Sequence, residues 1–127
     1  MSKIVETENL RAEGVFDEHD VLIEGKMTVN GFGTDEGKFM DGVLVEGKRT
    51  LLNEDLLEGR FSGGLLIKGK ITDMNGLVME GEFNRGSLIM GKVTTPDGVT
   101  AQGEFCNETG NILTGTITYP DGEVRTV

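Results

Sequence analysis

Asp17-Glu18-His19-Asp20 is the one local cluster in this chain built wholly from metal-ligand residue types. Such a set could hold a hard cation through its carboxylates, or a zinc ion through His19. Contiguous residues of an extended strand point to opposite faces, however, and the chain carries no second histidine. The cluster therefore reads better as a solvated acidic turn than as a ligand set. A second signal is Gly42-Val-Leu-Val-Glu-Gly47-Lys48, which has the glycine spacing of a phosphate-binding loop and returns at Gly64–Lys70 and Gly86–Lys92. That loop needs Ser or Thr directly after its Lys, and a helix starting there to aim backbone amides at phosphate. Here Arg49, Ile71 and Val93 follow the lysines, and three copies in one short chain mark a structural repeat.

Nucleophilic catalysis has even less to draw on. The chain has one His, one Cys (Cys106), and serines at Ser2, Ser62 and Ser87 with no histidine in phase. Cys106 directly follows Phe105 and reads as an inert or exposed thiol. Glu80 and Glu82 place two carboxylates on one strand face, yet no cleft is expected to desolvate one of them and separate their pKa values. The expectation is a protein that is not an enzyme, with no catalytic residues, no metal and no cofactor.

The recurrence that removes the phosphate loop points to the elements beneath it. Phe16, Phe39, Phe61, Phe83 and Phe105 recur about every 22 residues, each with a glycine two places earlier: Gly14, Gly37, Gly59, Gly81 and Gly103. A second glycine line, Gly25, Gly47, Gly69, Gly91 and Gly115, keeps the same phase. Between them lie short runs of Thr, Val, Ile and Phe bounded by Asn75-Gly76, Pro96-Asp97-Gly98 and Pro120-Asp121-Gly122. These are turn signals, with Gly taking the left-handed position that other residues resist. No stretch keeps apolar residues at helical spacing. The predicted fold is all-β: a single elongated antiparallel β-meander of stacked β-hairpin repeats, essentially without helix. Residues 1–9 are expected to form an N-terminal extension, and 10–127 an array of about five and a half hairpin units. At about 4.8 Å per strand, such a sheet would be about 50 Å long.

Alternation places Met79, Gly81 and Phe83 on one face and Glu80 and Glu82 on the other. Along the array, Lys26, Lys48, Lys70 and Lys92 form one expected charge column, and Glu36, Glu58, Glu80 and Gln102 a second of opposite sign. Cross-strand pairing is the simplest role for both. The apolar face, with Phe39, Phe61, Phe83, Leu44, Leu66 and Leu88, must be covered by a partner or by bending of the hairpins over it.

The formal net charge of −10 makes nucleic acid and anionic membrane surfaces unfavourable direct partners and favours another protein with a basic surface. Acidity is densest at Asp17, Glu18, Asp20 and Glu24. These four, with Glu36, Glu58, Glu80 and Glu82, are the candidate partner-binding residues. A lone cysteine and the lack of any long apolar run suit a reducing, cytoplasmic setting without membrane insertion. Exposed strands at the two ends of the sheet also allow a homodimer by edge pairing.

Glu80-Gly81-Glu82-Phe83 with Gly86, then a β run, Pro96-Asp97-Gly98 and a second Gly103-Glu104-Phe105, resembles the MORN repeat. The resemblance runs from Leu10 to the C-terminus and fits best from Gly69 onward. It implies a β-hairpin array that serves as a non-catalytic protein-protein interaction scaffold. Where the family carries Tyr four places before its aromatic, this chain has Ala12, Asp35, Leu57, Met79 and Ala101, so the family's aromatic platform for membranes or peptides is missing. Two other functions fit the same residues. One is an acidic inhibitor, of the immunity or antitoxin type, that blocks a basic nucleic-acid-binding target. The other is a self-assembling structural subunit.

Overall fold

A computed structural model describes residues 2–127, and among them every regular element is a strand. The strands are β1 (Ser2–Glu6), β2 (Leu10–Phe16), β3 (Leu22–Val29), β4 (Gly33–Met40), β5 (Val43–Leu51) and β6 (Leu56–Ser62). They continue with β7 (Leu65–Thr72), β8 (Val78–Asn84), β9 (Ser87–Thr94), β10 (Thr100–Phe105), β11 (Ile112–Thr118) and β12 (Val124–Thr126). All twelve lie in one sheet in chain order, each antiparallel to the next. The all-β hairpin meander read from the repeat is the observed fold. Within the segment 1–9, set apart in the sequence as an extension, Ser2–Glu6 add β1 to the same sheet, with Ile4 opposite Glu13.

Three local devices build each repeat. The first is a glycine pair. Gly14, Gly37, Gly59, Gly81 and Gly103 stand directly opposite Gly25, Gly47, Gly69, Gly91 and Gly115. Gly81 shows why: its φ is +142°, and a Cβ there would lie 2.1 Å from the carbonyl oxygen of Met90. The neighbouring backbone occupies the place of the missing side chain. The second device is a bulge. Beside each phenylalanine the Gly-Lys strand carries one extra residue, successively Ile23, Val45, Ile67, Ile89 and Leu113, which increases local twist and bend.

The third device is the turn. Asp41-Gly42, Gly63-Gly64 and Arg85-Gly86 are two-residue turns with positive φ at both positions, the geometry whose twist matches the strands they join. A five-residue turn recurs at 51–55, 73–77, 95–99 and 119–123, its first N–H donating to the fifth carbonyl and its fourth to the first. The fourth place is left-handed, filled by Glu54, Gly76, Gly98 and Gly122. The Asn-Gly and Asp-Gly sequences announced these last three.

The sheet has no second layer, yet Phe39, Phe61, Phe83 and Phe105 are 4–6% exposed and Leu44 is fully buried. Burial this complete on one face requires each strand to bend at its glycine, so that its two arms close over the phenylalanines. Arg49 shows the closure directly. It stands opposite Leu57, and along an unbent strand Gly64 would lie roughly 23 Å away. The Arg49 guanidinium nevertheless donates to the Gly64 carbonyl and sits 5.1 Å from the Phe61 ring centroid. The apolar face is thus covered by the hairpins themselves and is not available to a partner. Leu57, Ile71, Met79 and Val93 pack on it from the opposite arm. In one unit the equivalent places hold Asp35 and Arg49, which form a bidentate pair at 2.8 and 3.1 Å with side chains 13% and 11% exposed.

Candidate functional site: the charged outer face and its apolar strip

With the phenylalanines enclosed, the opposite face is the surface the repeat displays. The lysine and glutamate columns expected from the sequence merge there into one row crossing the strands. Glu13, Lys26, Glu36, Lys48, Glu58, Lys70, Glu80 and Lys92 each stand opposite the next, from β2 to β9. Gln102 and Thr116 end the row without charge. A second row lies two residues along each strand, beyond the glycines: Glu24, Lys38, Glu46, Arg60, Lys68 and Glu82. From β3 to β6 the two rows form a checkerboard, with unlike charge across strands and along each strand. Among the described residues none of the row lysines closes into a direct ion pair, so these charges face solvent.

The rows enclose a shallow depression of about 630 Å³, lined by Glu58, Lys68, Lys70, Glu80 and Lys92 over paired glycines. It is open to water along its length, so nothing desolvates Glu80 or Glu82. Of the candidate residues, Glu36, Glu58 and Glu80 lie in the first row and Glu24 and Glu82 in the second. Each neighbours a cation, so these carboxylates do not form a separate acidic column. The acidic excess gathers at strand ends and turns, with Glu54, Asp55, Asp73, Asp97, Asp121 and Glu123 along one long edge. Successive turns on that edge touch: the Met74 N–H donates to Asp55 Oδ1 at 3.2 Å, and Pro96 and Pro120 lie against Gly76 and Gly98.

Asp17, Glu18 and Asp20 form a turn of the same five-residue pattern at the opposite edge, Asp17 N–H donating to the Val21 carbonyl and Asp20 N–H to Asp17. The Asp17 carboxylate folds back to accept from the N–H groups of His19 (2.8 Å) and Val21 (3.0 Å). Asp20 pairs with Lys3, while His19 and Glu18 are solvated. Among the described residues no group of three or more ligand side chains converges on a metal position. The two backbone donors, that of Val21 first, hold the Asp17 pKa below its ordinary 3.8. A depressed carboxylate stabilises the fold above its unfolded pKa, and that contribution is lost as pH falls through the folded value. Asp17→Ala should therefore lower the melting temperature at neutral pH, and the gap from the parent should close in acid below about pH 4. Asp17→Asn, which keeps an acceptor oxygen but not the charge, should recover only part of the loss. Thermal scans across pH would show a constant gap if the carboxylate were idle.

Cys106, read from the sequence as an inert or exposed thiol, is a free cysteine. It lies half-buried at the start of the 106–111 loop, and hydrogen bonds from the Thr109 hydroxyl first, then from the Thr109 and Glu108 backbone, pull its pKa down. A larger thiolate fraction should make its alkylation by iodoacetamide at neutral pH faster than in the urea-unfolded chain. Thr109→Val should slow it, and equal rates in all three samples would contradict the capping contact.

Two features escaped the sequence reading. One is the Asp35–Arg49 pair. The other is the line of bulge residues, Ile23, Val45, Ile67, Ile89 and Leu113, whose period is visible in the sequence once the bulge is known. Alternation turns them away from the buried Leu22, Leu44, Leu66 and Leu88, and Ile23, Ile67 and Leu113 are 42–56% exposed. Met40, Val43 and Leu65, also exposed, extend this strip toward the short turns. Among the described residues no helix is long and apolar enough to cross a membrane. No protein-family model matches the chain, and no curated protein is similar to it at a significant level.

Proposed function

We propose that this chain is a non-catalytic protein-interaction module, a MORN-like scaffold for a reducing, cytoplasmic setting, which holds another protein against its outer face. The observation that carries this reading is the apolar strip. At a bulge that every repeat reproduces stands one aliphatic side chain, in line, exposed at Ile23, Ile67 and Leu113 and half-buried at Val45 and Ile89. Exposed apolar side chains that line up along a surface mark contact sites more often than scattered ones do. The shallow depression between the charge rows, open to water along its length, fits a surface that another protein covers.

The test is a lysate pull-down in which the parent chain and Ile23→Asp/Ile67→Asp are compared as baits, each verified as folded. The expected result is a partner retained by the parent at high salt and lost by the double variant. A partner held equally by both baits would exclude the strip. The acidic-inhibitor reading draws on a different feature, the acidic turn edge with Glu54, Asp55, Asp73 and Asp97. Binding there should be released by moderate salt and be indifferent to the strip substitutions.

A further inference from the structure

We propose that the outer face also pairs with the same face of a second copy of this chain, about a two-fold axis that runs along the strands between β4 and β5. The two charge rows carry the argument, because an alternating row is complementary to itself when reversed. About this axis β4 lies over β5 of the second copy, β3 over its β6 and β2 over its β7. Glu36 then meets the second copy's Lys48, and Lys38 its Glu46. Lys26 meets Glu58, Glu24 meets Arg60, and Glu13 meets Lys70. Each contact occurs twice by symmetry, and none joins like charges. Neighbouring axes do worse. One strand further on, between β5 and β6, the axis sets Lys38 against Lys68 and Glu24 against Glu82. An axis along the glycine line sets Lys70 against Lys68 and Glu80 against Glu82.

The net charge of −10 does not forbid this contact, since the acidic excess lies at the turns while the rows over β2–β7 are close to balanced. The sheet bends with its phenylalanines inside, so two copies meet along the line of the glycines, two side-chain rows wide. Over the six strands β2–β7, at strand spacing, this is a contact about 30 Å by about 10 Å, roughly 300 Å² per copy. An interface of that size belongs to weak encounters, and its charged character makes it sensitive to salt. The proposal uses different residues from the apolar strip and does not depend on it.

Sedimentation velocity at high-micromolar protein and low ionic strength should give a species of twice the 13.7 kDa chain mass, reverting to monomer as salt is added. Lys48→Glu places glutamate against Glu36, and Glu36→Lys places lysine against Lys48. Each variant alone should dimerise at least about tenfold more weakly. Mixed in equal amounts they should recover the dimer, because every facing pair is again unlike. That recovery separates contact between copies from cross-strand pairing within one sheet, which mixing leaves unchanged. Should either variant fail to fold, Lys38→Glu with Glu46→Lys repeats the design on the second row. A parent chain that stays monomeric at low ionic strength, a dimer untouched by the single reversals, or folded variants that do not recover on mixing would each overturn the proposal.

Discussion

Gly81→Ala is expected to destabilise the protein by at least about 3 kcal/mol, far more than the same exchange at a glycine of the short turns. Two effects add at this position. The backbone sits at φ +142°, which an L-residue adopts only under strain, and the new Cβ would lie 2.1 Å from the Met90 carbonyl oxygen and 2.7 Å from the Gly91 Cα. Neither neighbour is the flexible end of a side chain. Relief therefore requires the two strands to separate where the sheet bends over Phe83. The control is Gly86→Ala in the adjacent two-residue turn, where φ is +85° and nothing lies within 4 Å of the added methyl. That change should cost about 1 kcal/mol, from backbone strain alone. Urea unfolding of the two variants beside the parent decides it, and equal losses would mean that the glycine pair is not a steric requirement.

Arg49→Ala should cost about 3–5 kcal/mol, as much as truncating one of the buried phenylalanines. Arg49 closes a fork on Asp35, donates to the Gly64 carbonyl, and lies 5.4 Å from the Phe32 and 5.1 Å from the Phe61 ring centroid. Its removal strands a largely buried carboxylate and frees a carbonyl on the closed side of the sheet. Arg49→Lys keeps the charge but not the planar fork and should fall between the two. The neighbouring repeats show what an apolar alternative looks like, with Leu57 opposite Ile71 and Met79 opposite Val93. Asp35→Leu/Arg49→Met is therefore expected to stay within about 1 kcal/mol of the parent, since replacing both ions restores the pattern of the array. A double-mutant cycle from urea midpoints would contradict this account if the double variant were as unstable as Arg49→Ala.

The repeat was legible because its signals are local. Pro-Asp-Gly and Asn-Gly fix turns through their own φ preferences, and a Phe two places after a Gly fixes which side of the strand is apolar. From these the strand order, the antiparallel register and the lack of helix follow without knowledge of any distant contact. Two turn positions were harder to see, since Asp20 and Glu54 take the left-handed place that glycine holds elsewhere. The Asp17 carboxylate binds two backbone N–H groups of its own loop, which is why residues that looked like ligands serve as a turn.

What the sequence by itself determined is the unit: its period, its turns, its inward phenylalanine and the alternating charge at each register position. Those properties depend on neighbours a few residues away, and the chain repeats them five times. The tertiary structure alone decided how the units close. Whether the phenylalanine face awaits a partner depends on a bend at ten paired glycines, and that bend is a relation between strands that no single strand encodes. The same closure enclosed the Asp35–Arg49 pair, while the bulges left their extra residues as the apolar line on the outer face. A bulge adds one residue to one strand and none to its partner, so its effect on facing is set by pairing and is invisible in either strand alone.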